Sequence, residues 1–400
     1  VTTAGKPRLL IITTTFPRWP DDPGPAPFVF HHARAMLEHF QVTVLAPHFA
    51  GAARDEEMEG VRVRRFRYAW PERLELLSDG AGILSNMRQS VGARAAAPAL
   101  LASELAAIRT ELRRGYDFVN SHWLVPSGLL ATLAAPARVR HVITVHAADY
   151  DLLARLPGGR AMIRYMARRA HAMVCVSGRL ADGVRMATAA ARIVVQPMGV
   201  DMELFRFDEG ARRKWRQKIG AQDEPLILFA GKLTKKKGVD VLLKAAAEMA
   251  REGKAFRLAI AGDGAERPAL ARLMSELRLE DRVVFLGALP NRELAGLYSA
   301  AEAVVVPSVR DPRGETEGMP VVVLEALAAG RPVIASRLCS VPADLIGHGA
   351  VEVEEGNAPE LARAIVSTLA GGAGVDPAAV GAHDIKAVAL GYRGIFLEGA

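Results

Sequence analysis

Short β-branched runs alternate along this chain with Ala- and Leu-rich segments of helical length, and the alternation starts twice. The first series of expected strands is 8–14, 41–46, 60–66, 118–121, 140–145, 172–176 and 192–196. The second is 226–230, 257–261, 282–286, 303–306 and 332–335. Strands covered by helices on both faces read as continuous apolar runs, because neither face meets water. Leu9-Leu10-Ile11-Ile12 and Val304-Val305-Val306 have that character. The pattern predicts an α/β chain of two doubly wound, Rossmann-like domains in tandem, and 400 residues suffice for two such cores.

The restart places the boundary within 198–224. Met198-Gly199-Val200-Asp201 closes the first series there, and a charged stretch, Asp208 to Asp223, precedes the second. The expected domains are 1–200 and 201–383. Gly, Ala and Pro make 370–380 a connector, after which 384–400 returns to helical character and is expected to cross back onto the first domain. Open α/β sheets bind ligands at the carboxyl ends of their strands, so the expected site is a cleft between two facing sheets.

Composition narrows the class. Half the residues are hydrophobic and 24% charged, which excludes a disordered chain, and the 36 Gly and 23 Pro are scattered, which excludes a collagen-like one. Cys175 and Cys339 are far apart and offer neither a zinc cluster nor a disulfide framework, so a reducing cytoplasm is the expected setting. The apolar run 9–12 is too short for a signal-peptide core and leads to Phe16-Pro17-Arg18 rather than a small-residue cleavage site. The longest uncharged stretch, 118–137, holds Asn120, Ser121, His122, Pro126, Ser127, Gly128 and Pro136, which argues against a membrane span.

The formal net charge of +7 is unevenly spread. Residues 1–200 carry 25 Lys and Arg against 16 Asp and Glu, whereas 201–400 carry 26 against 28. A basic half suggests an anionic partner: nucleic acid, an acidic membrane surface or a phosphorylated substrate. The Arg-rich helical stretches 84–114 and 160–172, the latter with Arg164, Arg168 and Arg169, admit a peripheral membrane contact. A solvated helix face is the simpler account of either stretch alone, and a coding bias toward Ala, Arg and Gly accounts for the arginines.

The densest group of chemistry-bearing residues runs from Gly314 to Val333. The strand 303–306 leads into a loop with Pro307, Pro312, Gly314 and Gly318, then into a helix that ends at Gly330. Gly318 lets backbone approach a ligand, and the amides after Pro320 open a helix whose positive end favours phosphate. Glu317 precedes the helix and Glu325 lies about a turn inside it, so the two carboxylates can touch different parts of one elongated ligand. Alone, two glutamates at that spacing are an ordinary helix-start carboxylate and a solvated residue.

Their context is more specific. Glu317 and Glu325, separated by seven residues and followed by Ala-Leu-Ala-Ala-Gly-Arg-Pro-Val, resemble the signature of the retaining nucleotide-sugar glycosyltransferases of family 4, which have the GT-B fold. Gly231-Lys232-Leu233 with Lys237-Gly238-Val239 resembles the same family's Gly-Arg-Leu…Lys-Gly segment. Ala261-Gly262-Asp263-Gly264, Val284-Phe285-Leu286-Gly287 and Pro307-Ser308 follow in the family's order, and Thr144-Val145-His146-Ala147-Ala148-Asp149 and Pro197-Met198-Gly199-Val200-Asp201 match in the first half.

The resemblance implies a nucleoside-diphosphate sugar as donor substrate, with no metal and no other cofactor. It implies that Glu317 binds the donor sugar's hydroxyls and Glu325 the ribose hydroxyls. Lys232 and Lys237 flank the diphosphate, stabilising charge on the leaving nucleotide. Gly231, Gly262, Gly318, Met319, Val321 and Val322 line the donor with backbone, Leu286 and its neighbours hold the base, and His146 lies near the transferred sugar. Gly24, in the turn-rich loop 20–27, matches the family's flexible loop between donor phosphate and acceptor. Two residues depart from the pattern: Lys232 stands where the family has arginine, losing bidentate phosphate geometry, and Met198 replaces an asparagine. The resemblance favours front-face attack, in which the leaving phosphate takes the acceptor's proton. Its acceptor is a glycan, a lipid-linked sugar or a small polar metabolite, reached through first-domain loops at roughly 16–30 and 66–95.

Other classes fit less well. Asp149-Tyr150-Asp151 has the Asp-x-Asp spacing of metal-diphosphate sites but follows His146 in a Rossmann-like series. A dinucleotide oxidoreductase would need a third glycine where Arg267 follows Gly262-Asp263-Gly264. A nucleotide-sugar epimerase would need an acid/base pair at the anomeric centre, and none is evident. A nucleic-acid binder would explain the basic half, but no zinc set, recognition helix or aromatic stacking series appears, and aromatics make up only 6%.

Overall fold

The computed structural model describes residues 5–20, 22, 27–78, 82–188, 191–221, 223–312, 314–372 and 374–398. They form two compact units, one of Val1–Met198 with Ile385–Ala400, the other of Gly199–Asp384.

The first unit is built on an eight-stranded sheet. Its strands are β1 (Arg8–Ile12), β2 (Gln41–Pro47), β3 (Asp55–Met58), β4 (Val61–Phe66), β5 (Phe118–His122), β6 (Arg140–Val145), β7 (Ala172–Cys175) and β8 (Ile193–Val195). They lie in the order β3-β4-β2-β1-β5-β6-β7-β8, and every pairing is parallel except β3 with β4. Leu9 to Ile12 of β1 have no exposed surface, as a strand covered on both faces requires. The chain runs outward from β1 to β2 on one side and to β5 on the other, so the switch point lies between β1 and β5.

The helix Ile385–Leu397 belongs to this unit and packs beside Phe28–Met36. Tyr392 and Phe396 are wholly buried, and Phe396 meets the rings of Phe118 and Phe40 at 5.0 and 5.8 Å. Each such side chain contributes about 1.5 to 3 kcal/mol by burial. The helix Val91–Leu112 is the one described helix long and apolar enough, by length and composition, to cross a membrane. Here it turns Ala93, Leu100, Ile108 and Leu112 into the core and leaves Val91 and Leu101 exposed.

The second unit holds six parallel strands: β9 (Leu226–Ala230), β10 (Arg257–Ala261), β11 (Val283–Gly287), β12 (Ala303–Val306), β13 (Val333–Ser336) and β14 (Ala350–Val353). Their order is β11-β10-β9-β12-β13-β14, with the switch point between β9 and β12. The charged stretch after residue 208 is a helix, Glu209–Ile219, capped by the Asp208 carboxylate on Ala211 N–H at 2.9 Å; it buries Trp215 against this unit's core.

Candidate active site

In the second unit the loops that leave β9 and β12 meet at the switch point. Gly238 has a left-handed φ of 64°, and a Cβ there would lie 1.9 Å from the Pro307 carbonyl oxygen, so only glycine lets the loops close. Val309 N–H donates to the Lys236 carbonyl at 2.8 Å across the same seam. One loop thereby presents Lys236 and Lys237 to Glu317 of the other. Both ammonium nitrogens lie 3.3 Å from Glu317 Oε1, and the glutamate side chain is 12% exposed. Burial alone would raise its pKa, but the two lysines outweigh burial and hold the carboxyl at about 2. Glu317 is a carboxylate throughout the physiological range.

Gly231 and Gly262 form a second close approach, since a Cβ on Gly262 would sit 1.9 Å from the Gly231 carbonyl oxygen. Bare backbone therefore lines the carboxyl ends of β9 and β10. Lys232 is exposed on the same loop, Leu286 is half-buried in β11, and Gly318 is buried. Met319 and Val322 pack on the core, and Val321 opens the helix Val321–Ala328 directly after Pro320. Glu325 lies inside that helix and accepts from Tyr298 Oη at 2.8 Å. Burial pushes its carboxyl up to about 7, with Tyr298 and Lys237 pulling the other way. Gly24 lies outside the described residues.

The first unit gathers histidines at the carboxyl ends of β5 and β6. These strands pair in register, His122 opposite Thr144, so His122 and His146 emerge side by side. His122 Nδ1 and His146 Nε2 are 3.2 Å apart. Trp123 and Phe28 flank His146, with ring centroids at 4.8 and 5.5 Å. Behind them His32 Nε2 meets Asn120 Oδ1 at 3.3 Å, Asn120 donates to Thr144 Oγ1 at 2.9 Å, and Thr144 bonds Tyr392 of the C-terminal helix at 3.0 Å. Burial holds His32 down at about 4 and His146 at about 3, so both rings are neutral at neutral pH. Asp149 and Asp151 serve local structure: Asp149 accepts from Leu124 N–H, and Asp151 pairs with Arg179 at 3.0 Å.

The arrangement thus brings Lys237 to Glu317 and places Glu325 on the adjoining helix. Sequence reasoning did not find Lys236, Tyr298, His122 or His32. Lys236 adjoins an assigned lysine, and His122 directly follows the expected strand 118–121, beside the strand that leads to His146; both were findable by those signals. Tyr298 reaches Glu325 across 27 positions and left none.

Two parallel α/β sheets, with backbone-lined loops and a lysine–glutamate cluster at the switch point of the second, are the architecture in which open α/β proteins place their ligand sites. Residues 211–374 match the model for glycosyl transferases group 1, and 24–204 that for glycosyltransferase family 4. The chain is 27% identical over 303 residues to the GDP-mannose-dependent alpha-(1-6)-phosphatidylinositol monomannoside mannosyltransferase of Mycolicibacterium smegmatis, covering 74% of this chain and 76% of that protein. It is 30% identical over 292 residues to the 2-deoxystreptamine glucosyltransferase of Streptomyces kanamyceticus, covering 66% and 72%. Among solved structures, sucrose-phosphate synthase from Thermosynechococcus elongatus superposes with a TM-score of 0.73 at 21% identity, covering 97% of this chain and 99% of that one. The chain belongs to the group 1, family 4 glycosyltransferases and has their GT-B fold.

Proposed function

We propose that this glycosyltransferase is a retaining hexosyltransferase that moves a sugar from a UDP- or GDP-linked donor to a glycan, lipid-linked or small polar acceptor, in polysaccharide or glycoconjugate biosynthesis and without a metal. The cluster of Lys236, Lys237 and Glu317 carries the reading. Lysines at the switch point supply the positive charge a departing diphosphate needs, with Lys232 and the amides of Gly318, Met319, Val321 and Val322 adding to it. Pro320 has no N–H to give. Glu317, ionised and acceptor-only, suits the hydroxyls of the transferred sugar, and Glu325 suits the ribose. Leu286, with Gly231 and Gly262, holds the rest of the nucleotide through backbone.

Lys236 and Lys237 both engage Glu317 Oε1 and so tie up the carboxylate that a covalent intermediate would need as nucleophile, which favours front-face attack. In that reaction the acceptor oxygen bonds the anomeric carbon on the face the phosphate leaves, and a phosphate oxygen takes the acceptor's proton. His146 contributes a hydrogen bond to the transferred sugar. The name of the mycobacterial relative includes a phosphatidylinositol mannoside. Together with the basic first half, it supports a phosphorylated, lipid-linked acceptor met at an anionic membrane surface from the cytoplasmic side. The test is Glu317→Gln, which keeps size and removes charge. We expect kcat to fall about 100-fold, and unchanged transfer would remove Glu317 from its role.

A further inference from the structure

The buried histidine pair limits what His146 can do. His122 is wholly buried. Its ring centroid is 5.5 Å from that of His146 while the facing nitrogens are 3.2 Å apart, so the rings meet edge to edge. One nitrogen of that contact donates and the other accepts. The opposite nitrogen of His122, Nε2, is buried with no hydrogen-bond partner among the described residues. A hydrogen on Nε2 would be an orphaned buried donor, which native proteins avoid more strictly than an unused lone pair. The His32 ring, edge-on to His122 at 5.4 Å, offers only the weaker N–H to ring contact. His122 therefore carries its hydrogen on Nδ1 and donates it to His146 Nε2, which leaves the hydrogen of His146 on Nδ1.

His32 obeys the same rule. Asn120 spends its amide hydrogens on Val142 and Thr144, so its Oδ1 accepts from His32 Nε2–H, and the buried unpartnered Nδ1 of His32 is again a lone pair. The side chain of His146 does not cap the helix Ala147–Arg155 that it precedes, the residue is half-buried, and its Nδ1 makes no hydrogen bond among the described residues. Its Nδ1–H is thus available to a ligand.

We propose that His122 is a positioning residue that fixes His146 as the Nδ1–H tautomer, so that His146 meets the sugar as a hydrogen-bond donor and not as a base. The functional half rests on the glycosyltransferase reading above; the tautomer does not. A His146 held this way polarises a sugar oxygen, and the acceptor's proton must go elsewhere, in agreement with its transfer to the leaving phosphate.

The test uses the full chain with ¹⁵N-labelled histidine and needs no substrate. Ring-nitrogen shifts, assigned with His146→Asn, should show His146 protonated on Nδ1 in the free enzyme. His122→Asn keeps a donor near Nδ1 and should preserve that tautomer and most of kcat. His122→Phe keeps the ring volume without the donor; it should release His146 to the Nε2–H form and lower kcat about tenfold, with the donor-sugar KM nearly unchanged. A purely structural role predicts the reverse order, Phe tolerated better than Asn. Wild-type His146 protonated on Nε2 overturns the proposal even if transfer is normal. A correct tautomer in a protein that transfers no sugar overturns the functional reading instead. If His122→Phe does not fold, the wild-type spectrum and His122→Asn still decide.

Discussion

Glu317 and Glu325 lie within one loop-and-helix segment, and their surroundings drive them in opposite directions. Two lysines overcome burial at Glu317, whereas burial wins at Glu325, leaving its carboxyl near 7. A raised acid favours the fold below its unfolded pKa, near 4.5, and loses that contribution as pH rises through about 7. Binding has its own dependence, since the ionised carboxylate is the stronger acceptor for ribose hydroxyls. Nucleoside diphosphate affinity should therefore weaken as pH falls below 7, by up to about tenfold per unit. Titration calorimetry from pH 5.5 to 8.5 checks this against Glu325→Gln, which should lack that component; parallel profiles would refute it.

At the scale of elements, the seam between the β9 and β12 loops holds the site together. Gly220 and Gly238 both have left-handed φ, 74° and 64°, but a Cβ on Gly220 would meet nothing within 4 Å. Gly220→Ala should cost about 1 to 2 kcal/mol from backbone strain alone. Gly238→Ala should cost about 1 to 3 kcal/mol more, because the Pro307 carbonyl must move, and donor affinity should fall with it. Urea denaturation of the pair checks the difference. The same elements show what the sequence made legible. Interior strands declared themselves because both faces are apolar. Asp55–Met58 did not, being a polar edge strand whose Asp55 pairs with Arg62, and Ala350–Val353 is likewise an edge strand, interrupted by Glu352. The family resemblance pointed to Glu317, Glu325 and Lys237, and the structure brings Lys237 to Glu317. Lys236 and His122 adjoin positions that the sequence singles out, but their contacts with Glu317 and His146 come from another loop and another strand.

For the whole molecule, the basic excess of the first half is partly internal. Arg65 is buried on the Pro17 carbonyl and Glu56, Arg18 pairs with Asp22, and Arg140 and Arg192 donate to the carbonyls of Phe396 and Ile395 in the C-terminal helix. Arg94, Arg109 and Arg113 remain exposed along or just after Val91–Leu112, near Val91 and Leu101 in sequence. Vesicles rich in anionic phospholipid should bind the protein at low salt and release it at high salt, and Arg94→Glu with Arg109→Glu should abolish binding. Salt-insensitive binding, or none, would leave these arginines as a solvated face. The most direct measurement of the central claim is thermal unfolding of the full chain with UDP or GDP. At 100 times its dissociation constant the correct nucleotide should stabilise the protein by about 2.7 kcal/mol, and Lys237→Ala or Glu325→Ala should remove most of that gain. Stabilisation by neither nucleotide, or stabilisation that survives both substitutions, would contradict a donor site at the β9 and β12 loops.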